Sequence, residues 1–73
     1  MLKIGTKVKT LHVIYAGPHK DQVANLTRLA PGTVGVIKYV NMVPDDEYYL
    51  VRFTINQKRF WAKLNIHTMV APV

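Results

Sequence analysis

Cysteine and serine are both absent from the 73-residue chain. Without cysteine there is no disulfide and no thiolate metal site, and a reducing compartment is compatible. Threonine hydroxyls and lysine amines are then the nucleophile candidates that remain. Acidic residues are scarce: four Asp and Glu stand against ten Lys and Arg, for a net charge of +6. Three of those four acids sit together at Asp45, Asp46 and Glu47, which leaves Asp21 alone against the ten cations. A surface charged in this way favours polyanions or acidic protein patches and speeds their encounter. Excess lysine also serves plain solubility. No apolar run approaches the roughly 18 residues of a spanning helix, so no membrane partner is expected. Met1 to Lys7 lacks the long apolar core and cleavage pattern of a signal peptide. The expectation is a cytoplasmic protein folded as one domain over residues 1–73, since a chain this short has one modest core.

Catalytic constellations are equally thin. His12, His19 and His67 stand far apart with no metal-ligand spacing. Three imidazoles can converge on zinc in a fold, but solvated or singly hydrogen-bonded histidines are the ordinary outcome. Asp45 and Asp46 adjoin Pro44, which suits a turn rather than paired acid and base chemistry. No glycine-rich loop leads into a helix with Lys-Ser or Lys-Thr. The sequence therefore implies no catalytic residues, no metal, no cofactor and no enzyme.

What is present is alternation. Strands place successive side chains on opposite faces. In Tyr48 to Phe53 and Arg59 to Leu64 one parity collects Tyr49, Val51, Phe53, Phe60, Ala62 and Leu64, a candidate core face. The other collects Tyr48, Leu50, Arg52, Arg59, Trp61 and Lys63. Paired as a hairpin joined by residues 54–58, the two strands carry aromatics and cations side by side on their outer face. An exposed Trp61 between Arg59 and Lys63 would stack a nucleobase or anchor a protein interface. A Trp61 packed beneath the long loop, with lysine stems over its edges, is the other reading.

Earlier in the chain, residues 3–10 alternate as a first strand, with Ile4, Thr6 and Val8 on one face and Lys3, Lys7 and Lys9 on the other. Those lysines suit phosphate binding, and they equally suit an edge guarded against pairing with other chains. Leu11 to Tyr15 continue β-prone, Ala16 to Asp21 break regular structure, and residues 22–29 form a long ordered loop with one turn. The loop carries His19, Lys20 and Arg28, and long loops in compact domains are often functional. Pro31-Gly32 is a turn, and residues 33–40 are a strand in which Gly35 marks a bulge or a close backbone approach. Residues 41–46 make the next turn. Residues 65–68 suit a single helical turn, and residues 69–73 a last edge strand with Pro72. Five short strands with a long loop after the first predict an all-β fold, a small closed barrel.

The pattern resembles the SH3-like small barrels over nearly the whole chain. The residues that carry this are Gly5 and Val8, Gly32-Thr33-Val34-Gly35 with Ile37, Tyr49, Val51 and Phe53, and Phe60, Ala62 and Leu64. Within that superfamily the Gly32-to-Ile37 turn and the basic charge are similar to KOW-type modules of transcription elongation factors and ribosomal proteins. Small phage regulators that grip RNA polymerase share the size and charge. Val13-Ile14-Tyr15, Pro18-His19-Lys20, Leu50 to Phe53 and Arg59 to Leu64 look similar to the variable chain of ferredoxin-thioredoxin reductase. That chain's longer polar insert between its middle strands is replaced here by residues 41–47.

The first resemblance implies a non-enzymatic binding module that regulates transcription machinery. Its partner would be an acidic surface, on RNA polymerase or another large complex, or RNA, or both. The candidate binding residues are Arg52, Arg59, Trp61, Lys63, Tyr48, Lys7, Lys9, Lys20 and Arg28. The second resemblance implies a scaffold subunit of a redox complex that guides an acidic ferredoxin by charge. Oligomeric state is left open.

Overall fold

The structure is a computed structural model that describes residues 1–20, 24–67 and 69–73. Seven strands follow in chain order: β1 (Lys7–Thr10), β2 (Ile14–Ala16), β3 (Thr27–Leu29), β4 (Val34–Val43), β5 (Asp46–Ile55), β6 (Lys58–Asn65) and β7 (Val70–Pro72). Five form one antiparallel sheet in the order β6-β5-β4-β1-β7, and β2 pairs with β3 in a second. The result is all-β and barrel-like. Among the described residues no helix is long and apolar enough to cross a membrane.

The β5–β6 hairpin is the organising unit, with Tyr49 opposite Leu64, Val51 opposite Ala62 and Phe53 opposite Phe60. Tyr49, Val51, Phe53, Ala62 and Leu64 are buried, and Phe60 packs half-buried against them. Full burial of a ring such as Phe53 stabilises by about 1.5–3 kcal/mol. The connection is tighter than the sequence implies. The strands run on to Ile55 and back from Lys58, and Asn56 and Gln57 turn with φ of 51° and 67°. Two successive positive φ values give the twist that a two-residue hairpin needs. The β4–β5 hairpin is as tight, with Val43 opposite Asp46 and only Pro44 and Asp45 between them. Pro44 presets its own φ, and Asp45 takes a positive φ of 67°. The turn expected over residues 41–46 is thus mostly strand.

Gly35 is a close approach rather than the bulge. A Cβ there would lie 2.7 Å from Cγ1 of Val51 and 2.8 Å from the Phe53 ring, so only glycine lets β4 cross the core. The irregularity lies three residues on, where the register shifts between Ile37 and Tyr39. Lys38 is the extra residue. Strict alternation would put Tyr39 on the face of buried Ile37, and the bulge turns it outward.

The first strand is shorter than expected. Residues 3–6 form a turn, closed by the Thr6 amide donating to the Lys3 carbonyl at 3.1 Å, and Gly5 has a φ of 92°. Ile4 is therefore 61% exposed, not on the inner face with Val8. The long-loop expectation is corrected as well: its described part holds β2 and β3, with Ile14 opposite Leu29, and both side chains join the core. Residues 21–23 of that segment lie outside the described residues, as does Thr68 of the expected helical turn. Asn65 is the last residue of β6, and its Oδ1 accepts the His67 amide at 2.8 Å.

Candidate nucleic-acid and protein interface

The register of the large sheet sorts the outward side chains into transverse rows. Directly opposed residues of antiparallel strands share a face. Lys7 on β1 opposes Val36 on β4, Val36 opposes Arg52 on β5, and Arg52 opposes Trp61 on β6. One row therefore joins cations and the single Trp across four strands. The next row is Tyr39, Leu50 and Lys63, and the one beyond is Asn41, Tyr48 and Asn65. Beyond the first row on its other side, Lys9 opposes Val34 and Arg59 opposes Thr54. Sequence separation hides this. Lys7 and Trp61 are brought to one face only because β1 inserts beside β4.

The face is less open than its parity alone implies. Arg59 and Lys63 are exposed, whereas Tyr48, Arg52 and Trp61 are half-buried. Leu50 is 9% exposed, flanked by Tyr39 and Lys63. Part of the cover comes from the segment after β2. Gly17 and Trp61 exchange backbone hydrogen bonds, and Lys20 Nζ lies 5.3 Å from the centroid of the Trp61 ring. Lys63 Nζ lies 5.2 Å from the Tyr48 ring. Both are cation–π distances, worth about 0.5–1 kcal/mol each where solvent reaches. The Trp61 environment thus combines both sequence readings: the loop arrives, and the ring stays partly accessible.

Of the predicted site residues, Lys7, Lys9, Tyr48, Arg52, Arg59, Trp61 and Lys63 share the outward face, and Lys20 reaches it through Trp61. Arg28 stands apart on β3, exposed and opposite Tyr15. Tyr39 is the residue that sequence reading missed. It is 51% exposed at the centre of the face, and among the described residues no cation lies over its ring. Only the bulge at Lys38 puts it there.

Electrostatically the face is polarised. The cations cluster around the Lys7–Trp61 row, and the acids lie at the other end of β5, where Asp46 opposes Val43 and Glu47 opposes Met42. Arg52 and Asp46 share a parity six residues apart, roughly 20 Å along an antiparallel strand. The Nε of Arg52 is shut from solvent and has no hydrogen-bond partner among the described residues. A buried donor left unpaired costs about 1–3 kcal/mol.

Elsewhere the described residues hold no group of three His, Cys, Asp or Glu able to bind a metal. His67 Nε2 meets Glu47 Oε2 at 3.1 Å at the acidic end. Close by, an open cleft of about 360 Å³ is lined by Met1, Leu2, Met42, Tyr49 and Ile66. Comparison with family models, curated proteins and solved structures yields no significant match.

Proposed function

We propose that this chain is a non-enzymatic binding module that docks on transcription machinery, through RNA polymerase, RNA or both, and regulates it by occupying a surface. The observation that carries this reading is the row Lys7–Val36–Arg52–Trp61, which joins cations and an aromatic anchor across four strands. Arg and Trp are the residue types most enriched where interfaces concentrate their binding energy. The half-buried Arg52 guanidinium is of the charge type that pairs with phosphate or carboxylate oxygens. Segregation of the acids to the far end of β5 leaves the field over that row positive, which steers a polyanion.

The assignment to transcription rests on the resemblance to KOW-type modules and to small phage regulators. Five barrel strands with a long excursion after the first support the SH3-like architecture behind it. Affinity purification from cell extract, with and without ribonuclease, tests the reading. Retention of RNA polymerase subunits is the expected result. An iron–sulfur reductase subunit in their place would favour the redox-scaffold alternative.

A further inference from the structure

We propose that the outward face of β4, β5 and β6 is a short track for single-stranded nucleic acid, a commitment that rests on the binding-module reading above. Each of three successive rows offers one aromatic ring: Trp61 beside Arg52, Tyr39 beside Leu50 and Lys63, and Tyr48 between Asn41 and Asn65. Rows two residues apart lie about 6.8 Å from one another and neighbouring strands about 4.8 Å. The backbone positions of Tyr39 and Tyr48, on adjoining strands, therefore lie about 8 Å apart, and those of Trp61 and Tyr39, two strands apart, about 12 Å. Unpaired bases splayed from their own stack meet Tyr39 and Tyr48 as neighbours, and a longer span of backbone reaches Trp61. Base–ring stacking tolerates any sequence because every base has a π-face.

The cations are placed for the backbone that links those bases. Lys20 and Lys63 already sit over the Trp61 and Tyr48 rings. A base entering either ring displaces its ammonium toward the adjoining phosphate, so the charge moves only a side-chain length. Tyr39 needs no such displacement and is the natural first stacking position. Arg52, half-buried in the same row as Trp61, adds a cation at that end of the track. At the far end Asp46 stands outward beyond Tyr48, and its carboxylate repels further backbone. The track thus runs from the Lys9 and Arg59 end toward Tyr48 and presents three stacking positions on its three rows.

Duplex presents phosphates but no free base faces. An acidic protein patch accounts for the cations but does not call for a ring in each of three successive rows. The single Trp makes the test direct. Short oligouridylates of increasing length are titrated while Trp61 emission and the anisotropy of a labelled oligomer are read together. The expected result is quenched emission with binding. Tyr39→Ala should weaken binding about 5- to 150-fold, whereas Tyr39→Phe, which keeps the ring, should stay within about twofold. Because Tyr39 is half exposed, its thermal melt separates lost binding from lost fold. Equal affinity for inorganic polyphosphate, with Tyr39→Ala unchanged, would overturn the track in favour of charge alone. Tight binding of an acidic protein surface with none to oligouridylate would overturn it too. Copurification of polymerase subunits then judges the binding-module reading independently.

Discussion

Gly17 and Trp61 hold the two sheets together through a reciprocal pair of backbone hydrogen bonds. The Gly17 amide donates to the Trp61 carbonyl at 2.9 Å, and the Trp61 amide donates to the Gly17 carbonyl at 2.7 Å. This is an isolated bridge outside both ladders. It fixes the backbone beneath the indole and delivers Lys20 above the ring.

Gly17→Pro removes one donor of that pair and leaves the Trp61 carbonyl unmatched. The expected cost is about 1–3 kcal/mol. For a domain of this size that lowers the melting temperature by roughly 4–20 °C. As the segment lifts, Trp61 emission should shift to longer wavelength. An unshifted spectrum in a folded variant would show that the bridge does not shield the indole.

Gly35→Ala tests the crossing of β4 over the core. The added methyl would press on Val51 and the Phe53 ring at 2.7–2.8 Å, and both are fully buried with no room to retreat. Overpacking of this kind costs about 1–3 kcal/mol. Chemical denaturation should show a lower midpoint with an unchanged slope.

Thr10→Val removes a buried polar knot. Thr10 Oγ1 donates to the Ala30 carbonyl at 3.1 Å and accepts the Thr33 amide at 3.2 Å, tying the turn before β4 to β1. The isosteric change leaves the Thr33 amide with a weaker set of partners and should cost about 1–3 kcal/mol. Amide hydrogen exchange should speed at Gly32 and Thr33 before it speeds in β5.

Lys7→Ala with Lys9→Ala removes two cations from the outward face of β1 while their backbone pairing stays intact. For single strands each phosphate neutralised contributes about 0.7 to the logarithmic salt slope, so the double variant should flatten that slope by about 1.4. Lys58→Ala is the matched control. Lys58 sits at the β5–β6 hairpin tip opposite Ile55, off the aromatic rows, and its slope should match the parent's.

The inner face of β5 and β6 was legible because strict alternation holds there and the turn fixes the register. Tyr39 was not, because one extra residue at Lys38 reverses parity and carries no signal of its own. Ile4 looked internal because alternation runs through it, while Gly5 turns the chain out of extended geometry. β2 and β3 are three residues each and find one another across a long excursion, so their pairing is written in non-local burial of Ile14 and Leu29. The assembly of Lys7 with Arg52 and Trp61 depends on strand order, which alternation within each strand does not encode.

The most direct test is a nitrogen–proton correlation spectrum recorded while a short oligouridylate is added. Shifts confined to Lys7, Val36, Tyr39, Tyr48, Arg52, Trp61 and Lys63 are the predicted result, with Glu47, Ile66 and His67 at the acidic end unmoved. Shifts centred on that end, or on β3, with the Lys7–Trp61 row silent, would contradict the assignment of the outward face.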